Sequence, residues 1–173
     1  MRELSESETS FVLQWGEMGS KWGINRTVAQ IHALLMISEE PLHAEEITET
    51  LSVSRSNVSN GLRELQQWNL VNTVQKMGDR RDYFETHEDL WEMFRIIMAE
   101  RKRREIDPLM DNLQDCVDTA EQEEVPEYTR ERMASILSFL RQGSDICEQI
   151  QEMPPERLKK LVNTWDTMKS MLF

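Results

Sequence analysis

PLHAEEITETLSVSRSNVSNGLRELQQWNLVNTVQKMGDRRDYFE, from Pro41 to Glu85, reads as a short helix, a tight turn, a second helix carrying Ser, Asn and Arg, and a hairpin with a charged tip. After Pro41 and Leu42, the segment Ala44 to Leu51 sets Ile47 and Leu51 one helical turn apart, with Glu45, Glu46 and Glu49 on the other face. That spacing predicts a short amphipathic helix. Ser52, Val53 and Ser54 form the turn, with Ser54 as N-cap of the next helix and Val53 as a buried turn residue. The second helix is expected to run to about Trp68, with Val58, Leu62 and Leu65 toward the core. Arg55, Ser56, Asn57, Ser59, Asn60 and Arg63 then turn outward or sideways.

No acid appears in this second helix before Glu64. An exposed face of hydroxyls, amides and arginines suits the major groove, because Arg can pair with guanine O6/N7 and Asn with adenine N6/N7. The same residues would also serve as an ordinary solvated face. Gly61 should cost about 1 kcal/mol relative to Ala inside the helix, so it is read as a point of close approach, to the preceding helix or to a DNA backbone. Asn69 tolerates the left-handed position that ends a helix. Leu70 to Lys76 and Arg81 to Glu85 read as strands around Met77, Gly78, Asp79 and Arg80, with Gly78 in the tip. Lys76, Arg80 and Arg81 cluster where such a wing would meet phosphates, and Asp79 can orient one arginine.

These residues resemble the GbsR-type branch of the MarR-like transcriptional regulators. The likeness is carried by GLRELQQWNLV (Gly61 to Val71), GDRRDYFE (Gly78 to Glu85) and DLWEMF (Asp89 to Phe94), and upstream by WGINRTVAQIHALL (Trp22 to Leu35) and SVSRSNVSNGLREL (Ser52 to Leu65). It is strongest over Trp15 to Glu105. Asp79 and Arg81 fall on the Asp-x-Arg wing element of MarR-like proteins, which implies that Arg81 reaches DNA. The Leu-Thr of the broader pattern is not evident, and Asn69 stands where a glycine is often found. The resemblance implies a dimeric, ligand-controlled repressor, with GbsR-type members associated with choline, glycine betaine and osmoprotectant genes. Such a cation would want an aromatic cage, for which Trp15, Trp22, Trp91, Phe94 and Trp165 are available, although their periodic placement favours ordinary core. The effector site is left unassigned.

The chain has 173 residues and a net charge of -12. Residues 1–104 hold 13 Lys/Arg against 17 Asp/Glu and residues 105–173 hold 7 against 15, so most of the excess acid lies outside the proposed reader. Binding depends on the local potential of the contacting face, and the expectation is weak non-specific affinity with strong salt dependence. Cys116 and Cys147 form no paired metal or redox motif and are expected as buried thiols. His32, His43 and His87 are scattered, and no metal, cofactor or catalytic motif is read, Glu123 and Glu124 being carboxylates of a charged stretch. No apolar run approaches 18 residues and no leader precedes the first helix, which points to a cytoplasmic chain without a membrane partner.

The fold expected is mainly α with a small β-hairpin wing: a winged helix-turn-helix domain at 1–105 and a helical dimerisation or effector region at 106–173. Phe11, Trp15, Met18 and Trp22 form one stripe, read as core or dimer seam, and Val28, Ile31, Leu34 and Leu35 face in from the helix Asn25 to Ile37. Thr86 and Asp89 suggest a capping box for a helix carrying Leu90, Phe94, Ile97 and Met98 on one side. Arg101 to Arg104 form a basic run, read as a solvated face, and Asp107 and Pro108 should interrupt the helix. Glu121 to Glu127 is a linker. Met133, Ile136, Leu137, Leu140, Ile146 and Ile150 stripe the next helix, and Leu158, Leu161, Trp165, Met168 and Leu172 a last one. Paired recognition helices in a homodimer would read an inverted-repeat duplex. Two rivals remain: a winged helix used for protein docking without DNA preference, and a ligand-binding helical protein with a vestigial reader.

Overall fold

The computed structural model describes residues 3–123, 125–154, 156–157, 160 and 164. The chain divides into two units, residues 1–96 and 97–173. In the first, helix α1 (Glu6–Lys21) starts at a capping box made by Ser5 and Glu8, which satisfies two otherwise orphaned amides. Helix α2 (Arg26–Met36) is capped by the Asn25 carboxamide. The short strand β1 (Leu42–His43), helix α3 (Ala44–Leu51), helix α4 (Arg55–Gln67), strand β2 (Val71–Gln75) and strand β3 (Asp82–Thr86) follow. The sheet runs β1-β3-β2, antiparallel throughout, with Leu42 opposite Phe84, His43 opposite Tyr83, and Val74 also opposite Tyr83. The helix-turn-helix and the wing are therefore present as expected, and β1 is an addition that two residues could not signal by any periodicity.

Helix α2 is the centre of the first unit. Ile31 and Leu34 are fully buried, and Val28, Ala29, Ala33 and Leu35 are buried with them. Val58, Leu62 and Leu65 of α4, Ile47 of α3, and Leu70, Val71 and Tyr83 of the sheet complete this core. A Cβ on Gly61 would stand 2.6 Å from Ile31 Cδ1 and 3.6 Å from Val28 Cγ2. The glycine is there for packing, against α2 rather than against the preceding helix or a nucleic acid. Val53, expected buried, is half-buried in the turn after Ser52, whose φ of 51° closes α3 in the left-handed region. Asn69 takes that conformation at φ 56° and turns α4 into β2.

The face of α1 that meets α2 differs from the expected stripe. Val12, Gly16 and Gly19 are buried, whereas Phe11 and Trp22 are exposed and Trp15 and Met18 half-buried. A Cβ on Gly19 would stand 2.5 Å from Ala29 Cβ, and one on Gly16 2.7 Å from Gln30 Cγ. Small residues bring the helices too close for a tryptophan stripe to lie between them. The base of the wing is tied to α2 by His32, which is buried and donates from Nε2 to Thr86 Oγ1 at 3.2 Å while that hydroxyl donates to Leu70 O at 2.8 Å. Thr86 is thus committed to the sheet, and Asp89, not a Thr86 capping box, caps helix α5 (Leu90–Arg101) through Trp91 N at 2.8 Å. In its first turns Met93 is buried while Leu90 and Phe94 are exposed, reversing the expected facing.

In the second unit the interruption at Asp107 and Pro108 takes the form of a π-helical stretch, Lys102–Ile106, that leads into helix α6 (Asp107–Gln122). Proline cannot donate to the turn before it, and the wider turn accommodates that loss. The basic run is paired within the unit: Arg103 and Arg104 with Glu100, Arg101 with Glu105, and Lys102 with Asp107 at 2.9 Å. Helix α7 (Glu127–Glu152) packs on α6 through buried Leu137 and Ser144, with Met133 and Leu140 half-buried. Ile136, Ile146 and Ile150 of the expected stripe are exposed. Cys116 and Cys147 are exposed as well, not buried, because the contact between α6 and α7 is too narrow to cover them. The seam expected at Leu158, Leu161, Trp165, Met168 and Leu172 lies outside the described residues.

Burial, and secondarily the nearby His87, lowers the pKa of His32 to about 4. An unfolded imidazole takes its proton near ~6.5, so the unfolded chain binds the extra proton first as the solution is acidified. The contribution is intact above that value and is lost as pH falls toward the folded pKa, by on the order of 3 kcal/mol. Denaturant titrations across this window should register the loss, and His32→Gln, which keeps a donor but cannot protonate, should flatten it.

Candidate nucleic-acid interface

Helix α4 begins where Ser54 accepts from Asn57 N at 3.2 Å. With Val58, Gly61, Leu62 and Leu65 fixed against α2, the residues Arg55, Ser56, Asn57, Ser59, Asn60 and Arg63 are all exposed. The structure brings together the whole set expected on this helix as one polar face. One feature escaped the sequence reading. The Arg55 guanidinium is paired with Glu45, in the first turn of α3. No acid interrupts α4 itself before Glu64, but the fold delivers one from ten positions upstream.

The wing supplies the second cluster. Gly78, at φ 84°, turns its tip, a conformation that costs glycine nothing. Asp79 receives the Arg81 amide at 3.0 Å and the Arg81 Nε at 3.0 and 2.9 Å, and Arg81 Nη2 pairs with the same carboxylate. The Tyr83 hydroxyl donates to Asp79 Oδ2 at 2.8 Å and takes Arg81 Nη2 at 3.0 Å. Arg81 Nη1 meets His43 Nε2 at 2.8 Å. The hydrogen bonds from Arg81 hold the Asp79 carboxyl well below the usual range, the bond to Asp79 raises the Arg81 guanidinium, and the bond to Asp79 also raises the Tyr83 phenol. Arg81 is about half exposed, so it is oriented without being consumed by its partners. Lys76 stands 4.6 Å over the Tyr83 ring and 3.5 Å from Glu40. Arg80 is exposed at the tip.

His43, Tyr83, Glu40 and Glu45 are the members of this surface that sequence reasoning missed. His43 does double duty, because its ring also lies 3.3 Å from the Glu46 amide as the N-cap of α3, with Glu46 answering to the His43 amide at 2.9 Å. A neutral imidazole has one accepting nitrogen, so it can take Arg81 or the Glu46 amide but not both. His43 therefore stands between the helix-turn-helix and the wing, which also meet where Gln66 Nε2 donates to Thr73 Oγ1 at 2.7 Å. The only hint was position: β1 sets His43 opposite Tyr83, and nothing local marks so short a strand.

Among the described residues no group of His, Cys, Asp and Glu could hold a metal ion, and no helix is long and apolar enough to cross a membrane. Of the aromatic residues considered for a cation cage, Trp15 stacks on Phe11 and Trp91 meets Phe94 edge to face, while Trp165 lies outside the described residues. The two tyrosines of the chain allow a direct test of the wing network. With Tyr128→Phe as background, ultraviolet titration should find the Tyr83 phenol above the ordinary value of about 10, and Asp79→Asn should bring it back down.

Residues 22–82 match the model of the MarR family. The chain is 23% identical over 91 residues to the HTH-type transcriptional regulator YvaV of Bacillus subtilis (strain 168), covering 53% of this chain and 51% of that protein. It is 21% identical over 96 residues to the HTH-type transcriptional repressor OpcR of the same organism, covering 56% and 52%. The chain thus spans about half the length of the curated relatives it matches. A crystal structure of a transcriptional regulator superposes with a TM-score of 0.64 at 18% identity, over 84% of this chain and 95% of that one, and agrees with the fold. The segment from Trp22 to Asp82, which the family model matches, has the winged-helix fold, and the curated proteins that the chain is similar to are transcriptional regulators.

Proposed function

We propose that this chain is a dimeric, sequence-specific DNA-binding repressor, with residues 1–105 as the reader and 106–173 as the dimerisation and effector region. The observation that carries the proposal is the exposed polar face of α4 beside an arginine held in place by Asp79 and Tyr83. Arg55, Ser56, Asn57, Ser59, Asn60 and Arg63, with Ser54 at the helix start, supply groove and phosphate contacts, and Lys76, Arg80 and Arg81 supply wing contacts. A homodimer presents two such faces to an inverted repeat. The resemblance to the GbsR-type branch extends the proposal to a ligand-responsive repressor of osmoprotectant (choline or glycine betaine) genes.

The acids of this surface bear on how it would bind. Arg55, Lys76 and Arg81 each have a carboxylate partner, Glu45, Glu40 and Asp79. A phosphate must compete with those carboxylates, so loose attraction to any duplex is reduced, and contacts that need the correct base gain relative weight.

Fluorescence anisotropy against the duplex upstream of the coding sequence and a scrambled duplex, at two salt concentrations, tests the reading. Binding to the first that survives the higher salt while the second is lost supports a specific regulator; equal and salt-labile binding to both favours protein docking instead. Arg81→Ala should weaken all duplexes and lower the salt slope by about one, whereas Asn57→Ala should relax preference at one base position. Glu45→Gln should act in the other direction, strengthening binding to the scrambled duplex by freeing Arg55.

A further inference from the structure

The His43 imidazole is approached by donors from both sides. Arg81 Nη1 stands 2.8 Å from Nε2, and the Glu46 amide points at Nδ1 from 3.3 Å. A neutral imidazole has one nitrogen that can accept, so one of the two donors is refused. The ring has little freedom to settle the conflict by moving away. Its side chain is 12% exposed, the Tyr83 ring meets it edge to face with centroids 5.6 Å apart, and the His43 amide donates to Glu46 Oε2 at 2.9 Å.

The two bonds are unequal. A guanidinium donating at 2.8 Å has the ordinary length of a charge-assisted bond, whereas 3.3 Å lies beyond the usual range for an amide. In the free protein the arginine therefore takes the accepting nitrogen, which places the imidazole proton on Nδ1. That proton faces the Glu46 amide, donor against donor. The cap of α3 is then closed in one direction only, by Glu46 on the His43 amide, and lacks its reciprocal half.

Arg81 is also the donor with a reason to leave, being about half exposed and placed on the wing. A phosphate that draws Nη1 away frees Nε2. The ring proton then passes from Nδ1 through water to Nε2, one neutral tautomer replacing the other with no change of charge. Glu46 Oε2, 3.5 Å from Nε2, favours a proton arriving there, and Nδ1 is left to accept from the Glu46 amide. The other charged groups around the ring are Glu45 on α3, Asp79 on the wing, and Lys76 with its partner Glu40 beyond the Tyr83 ring. Tyr83 keeps its proton, because its bond to Asp79 raises the phenol.

We propose that His43 is a two-position switch between the wing and the helix-turn-helix: it accepts from Arg81 when the wing is free, and from the Glu46 amide, closing the α3 cap, when Arg81 has gone to a phosphate. The phosphate is that of the duplex proposed above, on which the coupling rests; the two positions of His43 belong to the chain itself. Seating the wing thereby firms the first turn of α3, which carries Glu45, the partner of Arg55. Wing contact and recognition-helix contact become linked, and linkage of this kind runs in both directions.

Nuclear magnetic resonance of the full chain, with isotope-labelled nitrogen, tests the switch without and with a duplex. Imidazole nitrogen shifts distinguish the tautomers, and His43→Gln identifies the His43 signals among the three histidines. In the free protein His43 should carry its proton on Nδ1. Arg81→Ala should move it to Nε2 and make the Glu46 amide exchange with solvent roughly fivefold more slowly. Loss of a side chain ordinarily loosens its surroundings, so slower exchange is not what a merely structural Arg81 would give. At a pH low enough to protonate both His43 nitrogens, neither donor is accepted, and the difference at Glu46 between parent and Arg81→Ala should vanish. The duplex from upstream of the coding sequence, added to the parent, should reproduce the Arg81→Ala signature. A proton on Nε2 in the free protein, or an Arg81→Ala chain with tautomer and Glu46 exchange unchanged, overturns the switch whatever the chain binds. A chain that binds the duplex by anisotropy while His43 keeps its proton on Nδ1 overturns the coupling and leaves the DNA-binding reading standing. A chain that switches with Arg81→Ala but binds no duplex overturns that reading and the coupling with it.

Discussion

Everything in the first unit leans on the burial of α2. It is contacted by α1 through two glycines, by α4 through a third, and by the wing through the hydrogen-bonded chain from His32 to Thr86 and Leu70. Close-packed interiors transmit displacement instead of absorbing it. Adding a methyl at Gly61 would bring it within 2.6 Å of Cδ1 of the fully buried Ile31, so either that side chain or α4 with its polar face must shift. The geometry of the candidate interface is thus set by hydrophobic contacts that no nucleic acid touches.

The charge of the molecule is strongly negative, yet its candidate interface is not left to bulk electrostatics. Local hydrogen bonds decide it. The Asp79 carboxylate fixes the Arg81 fork by several bonds at once, so the rotamer freedom that a long side chain ordinarily loses on binding is already surrendered in the free protein. His43 lies between this fork and the first turn of α3, within reach of either. An arginine on a bare hairpin tip would carry the same charge without that direction.

Much of this was legible in the sequence where the signal is local. The α3 and α4 periodicities, the Ser54 cap, the left-handed Asn69 and the glycine at the wing tip all follow from residues within a few positions of each other. What was lost involved distance along the chain. Glu45 meets Arg55 and His43 meets Arg81 only after the helices cross and β1 joins the sheet. The stripes of α1 and α5 were misread for another reason: periodicity finds an apolar face but does not say what covers it. In α1 the small residues Gly16 and Gly19 outcompete the larger ones for the close contact, and on α7 the periodic Ile136, Ile146 and Ile150 lie off the face that meets α6.

The π-helical stretch Lys102–Ile106 changes how the rest of the chain must be read. A π turn holds more residues than an α turn, so side chains beyond it are shifted in phase by about one residue, ~100° around the axis. Apolar spacing counted straight through from α5 therefore points to the wrong side of α6. The same arithmetic makes this segment the place where a single-residue deletion would be felt as a rotation and not as a gap: the turn would relax to regular α-helix and the side chains of α6 would swing to a different azimuth about its axis, with the sequence of α6 itself untouched.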